Sequence, residues 1–153
     1  MGKGVKQSDH NALLYYEAAA FEFGDPSAKF TLANWYYQGR QLKQDKHKAF
    51  KLQLEAAQSG HPGAVFNVGA QYMSGEVVER DLKKAAIWFE KAADFGMVQG
   101  AVNLGNMYYR GHGFPKDVRK AREIFDKFAS KDEFCKSLVE AIDLESDVEE
   151  TTK

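Results

Sequence analysis

Four histidines, one cysteine and many carboxylates are the residues of this 153-residue chain that could do chemistry. A metal centre asks for His, Cys or carboxylate ligands at short helical or turn spacings. His10, His47, His61 and His112 form no i, i+4 pair and have no cysteine partner at ligand spacing, so no metal is expected. Cys135 has no histidine recurring near it to take its proton, and a small buried side chain is expected there. The glycines fall one per helix end, and the GHG of residues 111–113 reads as a connector instead of a phosphate cradle. Paired acids serve as general acid and base only where a cleft holds them, and solvated charge is the better reading of those here. No catalytic residue and no cofactor is assigned, and the chain is expected not to be an enzyme.

Composition narrows the class further. The apolar share is 44% and the net charge −1, which suits one globular domain able to bury a core without metal or disulfide. A lone cysteine excludes an internal disulfide and fits a reducing compartment. No apolar run approaches the roughly 18 residues of a membrane span, and MGKGVKQSDH lacks a signal-like apolar stretch. Lys6 stands where a myristoylation motif wants Ser or Thr, so a frayed start and a cytoplasmic location are expected.

What must position any functional residue is a repeat. Gly24, Gly60 and Gly96 fall in step every 36 residues, as do Leu32, Val68 and Leu104, then Tyr36, Tyr72 and Tyr108, and Asp45, Asp81 and Asp117. Such a period marks a solenoid whose units bury their apolar faces on one another. Within each period the signals spell two helices. The first starts at Pro26 or Pro62 and stops at Gly39, Gly75 or Gly111, and the second starts after an N-capping aspartate and runs to Gly60 or Gly96. Nothing alternates with period two, so no strand is expected. The patches Leu32–Ala33–Tyr36, Val68–Gly69–Tyr72 and Leu104–Gly105–Tyr108 are expected core, with Ala49, Ala85 and Ala121 as close contacts and Leu52, Trp88 and Ile124 as wedges.

These residues carry a resemblance. GDPSAKFTLANWYYQG with DKHKAFKLQLEAAQSG, and its two successors, resemble Sel-one-like repeats, kin of the tetratricopeptide repeats, with the pattern A-x-x-x-L-G-x-x-Y-x-x-G, then D-x-x-K-A and A-A. Ala33 departs from the usual glycine and Gly100 from the usual alanine, and the paired cysteines of the secreted branch are missing. The expected fold is an all-α right-handed superhelix of about three repeats, near 24–59, 60–95 and 96–130, in one domain over 9–145. A half-repeat would open it and a capping helix near 132–145, with its stripe Phe134, Cys135, Leu138, Val139 and Ile142, would close it. An acidic flexible tail, 146–153, would follow.

Two ladders remain outside the expected core. By the resemblance to tetratricopeptide repeats, the first helices line a concave wall, which here presents Phe30, Asn34, Tyr37, Phe66, Asn67, Met73, Asn103, Asn106, Tyr109 and Arg110. Asn pairs with peptide groups while Tyr and Met give adaptable apolar contact, so the partner expected is another protein, held by an extended peptide or short helix. The Asn67 and Asn103 column could equally bond helix to helix. A non-catalytic adaptor or scaffold is the reading that results, with an activator subunit of one enzyme as the alternative; self-association is a further option. The second ladder is basic: His47, Lys83 and Arg119, then Lys48, Lys84 and Lys120, with Arg80 and Lys116. An acidic partner, RNA or an anionic membrane could use it. Near-zero net charge and the lack of interleaved aromatics disfavour nucleic acid, leaving solubility or pairing with the acidic tail.

Overall fold

Proline and aspartate open the helices where the sequence puts them. A computed structural model describes residues 3–39 and 42–151, with side chains for 9–39 and 42–146. Among the described residues there are eight helices and no strand: α1 (Lys3–Phe21), α2 (Pro26–Gln38), α3 (Lys46–Gln58), α4 (Pro62–Ser74), α5 (Leu82–Asp94), α6 (Val98–Arg110), α7 (Val118–Ala129) and α8 (Glu133–Thr151). The first helices of the repeats thus begin at 26, 62 and 98 and the second at 46, 82 and 118, the same step throughout. Asp45, Asp81 and Asp117 each accept the backbone N–H of Lys48, Lys84 or Lys120 at 2.9 Å, which satisfies one orphan donor per helix. His61 does the same for α4 through Nδ1, 3.2 Å from the Ala64 nitrogen. At the far end, Gly75 ends α4 with φ of 72°, a left-handed turn that favours glycine.

The helices gather into two compact units, Met1–Arg80 and Asp81–Lys153. In the first, α1 packs on α2, α2 on α3 and α3 on α4. Its core joins Ala20, Ala28, Leu32, Ala33 and Leu52, with Tyr16, Trp35 and Tyr36 packed against them. In the second, α5 packs on α6, α6 on α7 and α7 on α8, around Ala121, Phe125, Val139 and Ile142. Gly105 is what lets α7 approach: a Cβ there would lie 2.3 Å from Phe125 Cε1, inside contact distance, so the ring rests directly on the α6 backbone. The expected wedge Trp88 is only half-buried, with the Lys91 ammonium 4.5 Å from its ring centroid; its neighbour Phe89 is the fully buried ring.

The ends depart from the sequence reading. α1 begins at Lys3, ahead of the expected Asp9, and runs through Gly4 in spite of that residue's low helix propensity. α8 continues to Thr151, past the expected end near 145 and through most of the segment expected to be a flexible tail. Its glutamates are good helix formers, and extending a helix already docked at Cys135, Val139 and Ile142 needs no new nucleus. Phe134, expected on the buried stripe, is exposed. Thr152 and Lys153 lie outside the described residues.

Candidate functional site

In the first unit the residues expected to bind a partner divide. Asn34 and Tyr37 of α2 and Asn67 of α4 meet around one recess of about 220 Å³, whose lining is completed by Gln53 of α3 and by Ala70 and Gln71 of α4. Tyr37 is held at its rim: its hydroxyl donates to Glu76 Oε2 at 2.8 Å, while Lys46 pairs with Oε1 and lies 5.3 Å from the ring centroid. The hydrogen bond to Lys46, then that from Tyr37, holds the Glu76 carboxyl below the usual carboxylate range. Phe30, Phe66 and Met73 are half-buried and do not line the recess. Phe30 stacks on His61 with centroids 4.3 Å apart, closing the start of α4, and the Met73 carbonyl accepts from Arg80 Nε at 3.1 Å.

The second unit repeats part of this arrangement. Asn106, Tyr109 and Arg110 of α6 border a recess of about 170 Å³ together with Phe125 of α7 and the α8 residues Leu138, Ala141, Ile142 and Glu145. Asn103 is half-buried and outside it. Tyr109 mirrors Tyr37: its hydroxyl donates to Glu145 Oε2 at 2.7 Å, and Lys116 lies 5.4 Å from its ring centroid. That bond to Glu145, with desolvation, raises the Tyr109 pKa.

Two members of the basic ladder have intramolecular partners. Lys48 reaches back from the first turn of α3 to the tyrosine of the preceding helix, Nζ donating to Tyr36 Oη at 2.6 Å and sitting 4.3 Å from the ring centroid. Lys120 takes the same place on Tyr108, at 4.3 Å. Each pair is a cation–π contact joining the two helices of one repeat. Tyr36 and Tyr108 therefore pack with a polar tip in use, which the sequence reading had treated as plain filling. The acidic end has partners of its own: Arg122 clasps Asp143 with bonds of 2.6 and 2.8 Å, so Asp143 is not spent on the ladder.

Cys135 is fully buried, its N–H capped by Asp132 at 2.9 Å. Burial, with the Asp132 carboxylate beside it, pushes the thiol up to about 11, the reverse of what a nucleophile needs. Sequence reasoning missed Gln53 and Gln71, the floor of the first recess. The signal was available in the register, because Gln53 falls in step with Phe89 and Phe125, and Gln71 with Trp35 and Met107.

Residues 1–20, 26–61, 62–96 and 98–133 match the Sel1 repeat model. The fold is similar to that of a Sel1 repeat protein from Oxalobacter formigenes, at TM-score 0.78 and 26% identity over 86% of this chain and 54% of that one. It is similar also to a protective antigen with an SLR fold from uropathogenic Escherichia coli, at TM-score 0.72 and 31% identity over 79% of this chain and 26% of that one. A third likeness is to Helicobacter pylori cysteine rich protein B, at TM-score 0.65 and 26% identity over 90% and 99% of the two chains. The chain thus spans 54% and 26% of the first two of these proteins. No curated protein matches it in sequence. Among the described residues no helix is long and apolar enough to cross a membrane.

Proposed function

The chain belongs to the Sel1 repeat family, whose members generally mediate protein–protein interactions and are typically non-catalytic, and from that premise we propose an adaptor or scaffold that binds a peptide segment of another protein. The observation that carries this reading is the recess of the first unit, where Asn34, Tyr37 and Asn67 bring amide and aromatic groups together on neighbouring first helices. Amide side chains match the donors and acceptors of an extended peptide, and a tyrosine supplies area at little entropic cost. In the second unit Asn106 and Tyr109 offer the same pair of groups. A single buried thiol fits action in the cytoplasm.

The test is the quadruple change of Asn34, Tyr37, Asn106 and Tyr109 to alanine, assayed by affinity capture and mass spectrometry beside the parent chain. All four side chains are only half-buried, and the two tyrosine hydroxyls bond to carboxylates in exposed settings. The variant should keep its helical circular dichroism and lose its specific co-purifying proteins. Undiminished capture would place binding on another face.

A further inference from the structure

Two glutamines stand in the first unit where the other repeats carry apolar side chains. Gln53 shares its position in the repeat with Phe89 and Phe125, and Gln71 shares its own with Trp35 and Met107. These are core positions, since Phe89, Phe125 and Met107 are 0%, 1% and 3% exposed. Gln53 is buried to the same degree, at 3%, yet its Oε1 has no hydrogen-bond partner, and Gln71 Oε1 has none either. Unpaired carbonyl oxygens at such positions are costly, and a leucine or methionine would avoid the cost. Both glutamines line the same recess of about 220 Å³, rimmed by Asn34, Tyr37 and Asn67.

Residue 33 bears on why position 53 carries no ring. In the third repeat Gly105 makes room for Phe125, and a Cβ there would come within 2.3 Å of the ring. Ala33, in step with Gly105, already carries that Cβ, so a phenyl ring at position 53 cannot sit as Phe125 does, and a slimmer side chain stands there. Shape alone would accept leucine. The amide, with its acceptor unpaired inside a hollow, is chemistry waiting for a donor.

We infer that this recess is a binding pocket for a carboxamide carried by an extended segment of the partner protein. Its N–H groups donate to Gln53 Oε1 and Gln71 Oε1, and its carbonyl accepts from the side-chain amides of Asn34 and Asn67. The chemistry follows from the lining, which holds amides, one phenol and one methyl but no charge. A lysine or arginine entering it would lose water without gaining a carboxylate, and an incoming carboxylate would face two acceptor oxygens. A neutral amide both donates and accepts, as the four amide side chains require. The volume equals that of several waters at about 30 Å³ each, which is the scale of one side chain. This assignment rests on the proposed protein-binding role of the first-helix face and specifies what part of it reads.

The experiment uses the full chain, labelled with ¹⁵N, and three blocked tripeptides: N-acetyl-Gly-Gln-Gly-dimethylamide and its Met and Glu counterparts, in which only the Gln side chain offers a primary carboxamide. The Gln peptide should shift the side-chain amide resonances of Gln53 and Gln71 saturably, with the other two binding about tenfold or more weakly, the loss expected from forfeiting hydrogen bonds to buried acceptors. Equal shifts from the Gln and Met peptides would overturn the carboxamide assignment, since a backbone amide has one N–H and cannot serve both acceptors. Gln53→Leu should abolish the response while its thermal midpoint stays level or rises, because an unpaired acceptor has been removed; Gln71→Met, the side chain of the third repeat, is the second variant should the first misfold. If no peptide moves these resonances, or if Gln53→Leu responds like the parent, the recess holds only solvent and the inference is overturned. Capture by an Asn106→Ala/Tyr109→Ala variant is measured alongside. A fall there with a silent recess sinks the pocket alone, and no fall in either sinks the binding face as well.

Discussion

Cys135, a thiol at the end of an acidic helix, has a reactivity that follows from its surroundings. With its pKa pushed up to about 11 by burial, a native sample at pH 8 holds roughly one thiolate in a thousand. Iodoacetamide at pH 8 should leave native Cys135 unlabelled and label it fully in guanidinium; rapid labelling of the native protein would contradict its burial. Leu32 belongs to the same scale. At 0% exposed it should cost roughly 2–5 kcal/mol when cut to alanine, whereas Asn34→Ala should change stability by no more than about 0.5 kcal/mol, both read from urea unfolding. Leu32 was legible in the sequence because identity repeated in step announces a shared core. Gln53 and Gln71 were legible in the same register but passed over, because reading for what recurs skips what departs, and a buried polar departure carries more information about binding than another leucine. Asn34, Tyr37 and Asn67 were found by position, but which of the expected residues share a cavity depends on side-chain reach that spacing does not encode.

At the scale of elements, α8 shows how a helix that does not belong to the repeat is fastened. Its apolar side rests on α7, and Arg122 of α7 holds Asp143. The guanidinium keeps the Asp143 carboxyl below its usual range. A carboxyl depressed on folding contributes stability that is fully present above its unfolded value, near 3.9, and that is lost as pH falls through the lower folded value. The difference in thermal midpoint between the parent and Asp143→Asn should therefore be constant from pH 7 to about 5 and shrink below about 4. The effect is small, since both side chains are well exposed and solvent screens them. A difference that grows on acidification would assign the fastening to another contact. α6 and α7 give a sharper case: Gly105→Ala should destabilise the second unit by about 1–3 kcal/mol, the usual range of overpacking, because the new Cβ would lie 2.3 Å from the Phe125 ring and force it to shift. Helix bounds at the two ends differ from the expected ones for different reasons. α1 runs ahead of Asp9, which falls in step with Asp45, while α8 has no in-step counterpart to define where it stops, so helix continuation decides both bounds.

For the whole molecule, the constant step between helix starts makes the repeats interchangeable parts. Deleting residues 61–96 rejoins Gly60 to Met97 in register, and the product should remain helical and melt cooperatively by circular dichroism, as arrays of like parts do. It should also lose the carboxamide response, since Asn67 and Gln71 leave with the segment. An unfolded product would show that the parts are not equivalent. The repeat was legible from the sequence for the same reason that it is interchangeable: each position recurs under the same packing constraint. The contrast between Ala33 with Gln53 and Gly105 with Phe125 then has a wider meaning, for it behaves as a two-letter script written at fixed addresses along a tape. Glycine with phenylalanine lines a recess with a ring, and alanine with glutamine lines one with an amide. Rewriting Ala33→Gly/Gln53→Phe would give the recess of the first unit an apolar floor, and Gly105→Ala/Phe125→Gln would put an amide into that of the second. Specificity in such a chain is editable one repeat at a time, without redrawing the scaffold that carries it.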